Sequence, residues 1–396
     1  MAFGGRSRKP ILTGGRAPLV PTAFGVFHCP PSGAPPRNAP PESSRPLCGR
    51  GRRIAFAAVL VAAAFIGCGE PNPGERFLSG FDGDGDEMAA LFLLLDGKDA
   101  SPDSNFAVAR EISGCFLRAG DYGKLIRFLS DRTQRFPDDP YNAHHLLMIA
   151  HAYMKQGSLP ISALYFDAIV RNYPDMTVNG SSIHLASLLN LTELVDDPRR
   201  LARYYGELLS RFPGDVNRGV LWFRLAGVLE EIGEWADAIE AYSAYVSLGS
   251  PAVPGFAEAA ARARLILNFH NSSRDWTFES LEALTAAVKS ALDNNSVARL
   301  AFIQAKTNFF TRSWGQGDAD SRYDFLITRY FGPGTRVRHA DGFLEESNGT
   351  GVYLRTWGWP QVISVWYLYF RKVDFPADPS VHGRWEWAGI YFGENF

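Results

Sequence analysis

The chain has 396 residues, 46% of them hydrophobic, and a formal net charge of −2, enough apolar material for a sizeable core and two or three domains. The charge is uneven: residues 1–67 carry nine Lys and Arg against one acid, so from Cys68 onward 31 basic and 41 acidic residues leave a net of −10. So acidic a body argues against general nucleic-acid binding, and no nucleic-acid partner is expected.

Residues 1–50 are rich in Pro and Gly, lack periodicity and cannot build a packed core. Arg50, Arg52 and Arg53 then precede an apolar run over residues 54–66, followed by Gly67 and Cys68. Thirteen apolar residues are too few to cross a bilayer, which takes about 20. The basic start, short apolar middle and small residue before a cut have the layout of a signal peptide. Phe65-Ile66-Gly67-Cys68 resembles a bacterial lipobox, with Phe65 where Leu is usual. The resemblance implies that Cys68 is lipidated and becomes the first residue of the mature protein. An uncleaved N-terminal anchor and a buried apolar helix are the other readings. Arg52-Arg53 also fits the start of a twin-arginine signal, but the residues after it do not follow that pattern. Fifty residues ahead of a signal are unusual, and the expectation is a true start near Leu47. Cys29 and Cys48 then fall before the cut, and Cys115 is expected as a small core residue of the first repeat. The mature chain would form no intramolecular disulfide.

Residues 68–104 read as a lipid-anchor tether, with Pro71 and Pro73, followed by a short capping helix. Asp82, Asp84 and Asp86 alternate as in a calcium loop, but Glu87 stands where Gly is required and Leu93 where the bidentate Glu is needed. They suit instead the N-terminus of an apolar helix over residues 87–95.

Residues 105–251 carry four copies of one pattern. The clearest lies in residues 221–251. Trp222, Leu225, Ala226 and Leu229 share one helix face, and Gly233 breaks that helix. Ala238, Tyr242 and Tyr245 line a second helix that Pro251 closes. The other three copies pair Gly120 with Pro137, Gly157 with Pro174 and Asp196 with Pro213, each 17 residues apart. The closing prolines recur at spacings of 37, 39 and 38 residues. This looks like the tetratricopeptide repeat, whose order of Trp, Leu, small residue, Gly, Ala and aromatic the last copy keeps. The resemblance implies helical hairpins stacked in an α-solenoid, because one hairpin cannot bury both its apolar faces alone.

Residues 252–314 show three further helical patterns, over 255–269, 278–293 and 296–311, completing the solenoid. After Trp314 the period changes. Residues 315–320 read as a turn and 322–330 as a short helix. Residues 336–340, 343–347, 352–357, 362–373 and 384–392 read as strands, with a hairpin signal at Asn348-Gly349. The expected fold is mainly α: a repeat solenoid followed by a small antiparallel β-rich (α+β) domain over residues 315–396.

The sequence shows no catalytic constellation, no phosphate loop and no chelating His pair, so neither an enzyme, a metal nor a cofactor is expected. His144 and His145 are adjacent and point about 100° apart on a helix. By repeat register the first helix of each hairpin lines a concave groove. That places Arg110, Leu147, His151, Met154, Lys155, Asn190, Glu193, Phe223 and Glu230 there, a mixture suited to an extended peptide or a helix. A second candidate is aromatic: Trp385, Trp387 and Tyr391 alternate onto one face of the last strand, as sugar- or peptide-stacking residues do, or as the core of a thin sheet.

From Cys68 to about Pro251, with its Phe-Pro-Asp and Tyr-Pro-Asp closures at residues 136–138 and 173–175, the chain resembles bacterial envelope lipoproteins with tetratricopeptide repeats. Among them are the outer-membrane-assembly lipoprotein and periplasmic repeat lipoproteins that serve transporters. The family implies a non-enzymatic scaffold, lipid-anchored, at the outer membrane facing the periplasm. Its partner would be another envelope protein. Gly69 rather than Asp after the lipidated Cys fits outer-membrane delivery. The rival is a ligand- or glycan-binding lipoprotein that uses the aromatic sheet.

Overall fold

The computed structural model describes residues 74–81, 83–95, 101–314, 325–331 and 334–394. The signal peptide, Cys68, the turn at 315–320 and the first three residues of the helix expected at 322–330 lie outside the described residues; of the rest of that helix only Ile327–Arg329 is helical, as a short 3-10 turn. The chain divides into two compact units, one ending at Gly157 and one beginning at Ser158.

The first unit holds α1 (Glu75–Leu78), α2 (Gly85–Leu95), α3 (Pro102–Ala119), α4 (Tyr122–Arg135) and α5 (Asn142–Lys155). Asp84 accepts the N–H groups of Asp86 and Glu87 at 3.1 Å, so the alternating acids begin a helix as expected. The residues before it are not all tether. Phe77 is buried, stacks on Phe92 at 5.6 Å and meets Phe128 edge-on, while Phe81 meets Phe116 edge-on. Met88 and Phe92 face this cluster, and Leu93 and Leu94 face outward. Ser101 caps α3, with Pro102 in its first turn. Gly120 ends α3 at φ 71°, with the Asp121 N–H returning to the Phe116 carbonyl at 2.9 Å. Asp121 then caps α4 through the Lys124 N–H. Arg132 and Asp139 form a buried ion pair at 2.9 Å.

The second unit opens with α6 (Leu159–Asn172), α7 (Ile183–Leu194), α8 (Pro198–Arg211), α9 (Arg218–Ile232) and α10 (Trp235–Ser247). Each helix packs on the next in sequence. The Phe-Pro closures have a common mechanism: Asp139 N–H donates to the Phe136 carbonyl and Asp215 N–H to that of Phe212, each at 3.1 Å. The middle closure differs. A small hairpin, β1 (Thr177–Val178) and β2 (Ser181–Ser182), follows Pro174, turning at Asn179 and Gly180 with φ 51° and 79°. Asp175 fastens it by accepting the Ser182 hydroxyl and the His184 N–H. That insertion lengthens the spacing of the closing prolines. At Asp196 no left-handed residue is used: Val195 leaves α7 extended and Asp197 caps α8.

The unit continues through α11 (Ala259–His270), α12 (Leu281–Asp293) and α13 (Val297–Ile303). The third helical pattern stops early. Residues 310–313 form β3 (Phe310–Ser313), which pairs parallel with the last strand. The five-stranded sheet is therefore mixed, correcting the antiparallel expectation. Its order is β3, β7 (Trp385–Phe392), β6 (Val365–Lys372), β5 (Gly351–Trp357) and β4 (Arg338–His339). The strand expected at 343–347 is loop, and Asn348 closes it by accepting the Thr350 and Gly351 N–H groups. A Cβ on Gly389 would lie 2.7 Å from the Phe310 ring and carbonyl, so glycine lets β3 approach.

Helices and sheet share a core. Phe278 and Trp385 exchange both backbone hydrogen bonds, at 2.8 and 2.7 Å. Glu386, 1% exposed, accepts Trp276 Nε1–H at 2.9 Å and Arg371 Nε–H at 2.8 Å. Removing residues 315–396 would therefore strip the core from Trp276 and β3 rather than release a separate domain.

Two substitutions test these joints. Gly233 ends α9 at φ 83° with open space around it, so Gly233→Ala should cost about 1–2 kcal/mol in urea denaturation from backbone strain alone. Glu386→Ala should cost about 3 kcal/mol, because it leaves the Arg371 charge without its buried partner.

Candidate functional site

The proposed groove residues divide between the two units. In the first, Leu147 is 1% exposed and Phe223, in the second, 4%; both are core, correcting their assignment to the groove lining. Phe223 lies against Tyr242, Tyr245 and Phe256. Arg110 and Lys155 are exposed, and His151 and Met154 half-buried. Asn190, half-buried, donates to the Ala186 carbonyl of its own helix at 2.8 Å. Glu193 is half-buried. Glu230 is held by Arg262 Nη2 at 2.5 Å, and Arg262 also reaches the Tyr242 hydroxyl. Burial pushes that hydroxyl's pKa up, with the Glu230 charge adding to the effect. Glu230 is thus part of the joint between α9 and α11.

The histidines of α5 are internal. His144 is 4% exposed and His145 1%. Phe106 meets His144 edge-on at 5.0 Å. His145 Nδ1 lies 3.4 Å from Asn142 Oδ1. Asn142 in turn donates to the Phe136 and Pro137 carbonyls, so it fixes the Phe-Pro closure. Burial lowers the His144 pKa to about 4, helped by Arg110 and His151. Burial lowers the His145 pKa to about 3, with Arg132 assisting and Asp139 opposing. His151 is pulled to about 4 by burial and by Lys155. All three are neutral in the fold at neutral pH. Among the described residues, no group of three or more His, Cys, Asp or Glu is placed to hold a metal ion.

The aromatic strand is not one face. β6 and β7 pair Tyr367 with Tyr391 and Phe370 with Trp387, and a bulge between these pairs leaves Ala388 extra. One additional residue reverses the alternation. Trp385 and Trp387 therefore share the side of Phe370 and Leu368, and Tyr391 takes the other. All three are buried, at 7%, 0% and 7%, which corrects the exposed aromatic surface. Trp387 packs on Phe309. The Tyr391 side gathers Tyr353, Tyr367 and Tyr369, with Trp314 stacked on Tyr391 at 4.6 Å and the Arg312 guanidinium 4.7 Å from its ring. Burial raises the Tyr353 pKa, and the Tyr391 and Tyr369 hydroxyls add to the effect. This tyrosine face was missed in the sequence because a bulge leaves no mark in an alternating pattern.

A cleft of about 20 Å³ beside Glu386 and Arg371, lined also by Leu265, Phe269, Asn308 and Phe375, has room for one water. Among the described residues no helix is long and apolar enough to cross a membrane.

No family model matches the chain, and no curated protein matches it.

The neutral histidines predict acid sensitivity. Their folded pKa values lie below the ordinary 6.5, so as pH falls below that value the unfolded chain binds protons that the fold refuses. Stability should be intact above pH 6.5 and drain away between there and about 4. Each of His144 and His145 should contribute a loss of about 2 kcal/mol by pH 5. Urea midpoints at pH 7 and 5 measure it, and His144→Gln with His145→Gln should remove about 4 kcal/mol of the difference while leaving the share of His151.

Proposed function

We propose that this protein is a lipid-anchored envelope scaffold of tetratricopeptide type, non-enzymatic, that holds a segment of another envelope protein against the first helices of its hairpins. The observation that carries the reading is the recurrence of capped hairpins. Gly120, Gly157 and Gly233 are all left-handed at the end of a hairpin's first helix, and prolines close the second helices at regular spacing. Arg110 and Lys155 are the exposed charges on the candidate groove, which favours an acidic segment as the occupant. Membrane anchoring rests on the lipobox at residues 65–68. Two features of the fold agree with it. The first described residue, Gly74, lies six residues after Cys68, within about 20 Å of it along a fully extended chain. Ala90, Leu93 and Leu94, spaced i, i+3, i+4 on α2, are also exposed, an apolar stripe suited to a lipid surface.

The glycan-binding alternative moves from the buried Trp385, Trp387 and Tyr391 to the half-buried Trp314, Tyr353 and Tyr369 beside them. Three partly exposed rings on one side of the sheet are the observation in its favour, since aromatic faces stack on sugar rings.

Cross-linked pull-down from intact cells, with the full chain and with Cys68→Ala, separates the readings. The scaffold predicts one envelope protein recovered with the native chain and lost with the variant, which should move from the membrane to the soluble fraction. Recovery of wall or glycan material alone, lost on Tyr353→Ala, would replace it with the alternative.

A further inference from the structure

Neither the groove nor the sheet uses the arginines that converge between α6 and α8. At their centre is Asp167, whose side chain is 2% exposed. Its Oδ1 accepts Arg203 Nη2–H at 2.6 Å and the Tyr204 hydroxyl at 2.9 Å. Its Oδ2 pairs with Arg171 and lies 3.9 Å from Arg200 Nη2. Arg200 donates to the Tyr204 oxygen from Nε at 3.2 Å and from Nη2 at 3.0 Å. The Arg200 and Arg203 guanidiniums also lie 5.9 and 4.9 Å from the Tyr204 ring centre.

One buried carboxylate thus faces three permanent cations, a local surplus of two positive charges. A single guanidinium would neutralise Asp167. The second and third repel the first and give up side-chain freedom, and exposed pairs return little for that. They stand in a chain whose net charge from Cys68 onward is −10. The surplus is also accessible: the side chains of Arg171, Arg200 and Arg203 are 57%, 39% and 40% exposed. The nearest acid in sequence, Asp197, is engaged in capping α8 through the Arg200 N–H at 2.8 Å.

We propose that Arg171, Arg200 and Arg203 form a binding site for a phosphate group, with Asp167 and Tyr204 as positioning residues that hold the guanidiniums. Each guanidinium has a nitrogen within 4 Å of the same carboxylate. Such a compact array matches the three oxygens of one phosphoryl group better than the spread charges of an acidic peptide. The guanidinium fork is also the side chain best shaped for phosphate. A soluble phosphate compound and a phospholipid headgroup share this chemistry.

The test uses the Cys68→Ala chain, which has no lipid of its own. Calorimetric titration with inorganic pyrophosphate at low salt should give saturable one-to-one binding. Arg171→Gln and Arg200→Gln should each weaken it about tenfold, the loss of one charge-assisted contact, with the thermal midpoint unchanged. Arg171→Lys should restore part of the loss. Flotation with phosphatidylcholine vesicles, with and without phosphatidic acid, identifies the source. Selective flotation with phosphatidic acid, lost in Arg171→Gln, assigns the site to a headgroup, and pyrophosphate binding without flotation assigns it to a soluble ligand. No saturable binding in either arm, or equal binding by the Gln variants, overturns the proposal.

Discussion

A hairpin of two amphipathic helices has more apolar face than it can cover by itself, and the helical part of this protein depends on that excess. α4 packs on α5 as well as on α3, and α8 and α10 each pack on both their sequence neighbours. Phe223 shows the consequence at one residue: it covers Tyr242 and Tyr245 of the next helix and Phe256 beyond it. The same demand consumes side chains that helical register alone would assign to a binding surface. Leu147 and Phe223 go to the core, and the charges left exposed on those helices are Lys155, Arg218 and Glu231.

Much of this was legible from residue types whose backbone chemistry is specific. Glycine at a helix end and proline after an aromatic marked the hairpins, because few other residues accept a left-handed angle or stop a helix so sharply. Asn179-Gly180 was equally specific, yet two-residue strands are too short to show an alternating pattern, and the small hairpin was passed over. The C-terminal sheet was legible in its strands and not in its connections. β3 has four residues and no alternation of its own, and its parallel pairing with β7 depends on a glycine 76 residues beyond Ser313. The bulge at Ala388 is set by tertiary packing and reverses the face of Tyr391. Candidate sites fared worse than elements, since burial decides whether a side chain is a contact, and burial is a property of the neighbours.

Charge is distributed with the same economy. Buried carboxylates are matched: Asp139 by Arg132, Glu386 by Arg371 and Trp276. Buried histidines are kept neutral. Asp167 departs from this balance, with three arginines around one carboxylate.

The central claim is that the exposed part of the first-helix face holds another envelope protein. Site-specific photocross-linking in intact cells measures it directly, with the photoreactive residue at Lys155 on that face and, separately, at Leu164 on α6, which is 62% exposed. The account predicts one envelope protein captured from position 155 and not from position 164. Capture from position 164 alone, or from neither, would contradict it.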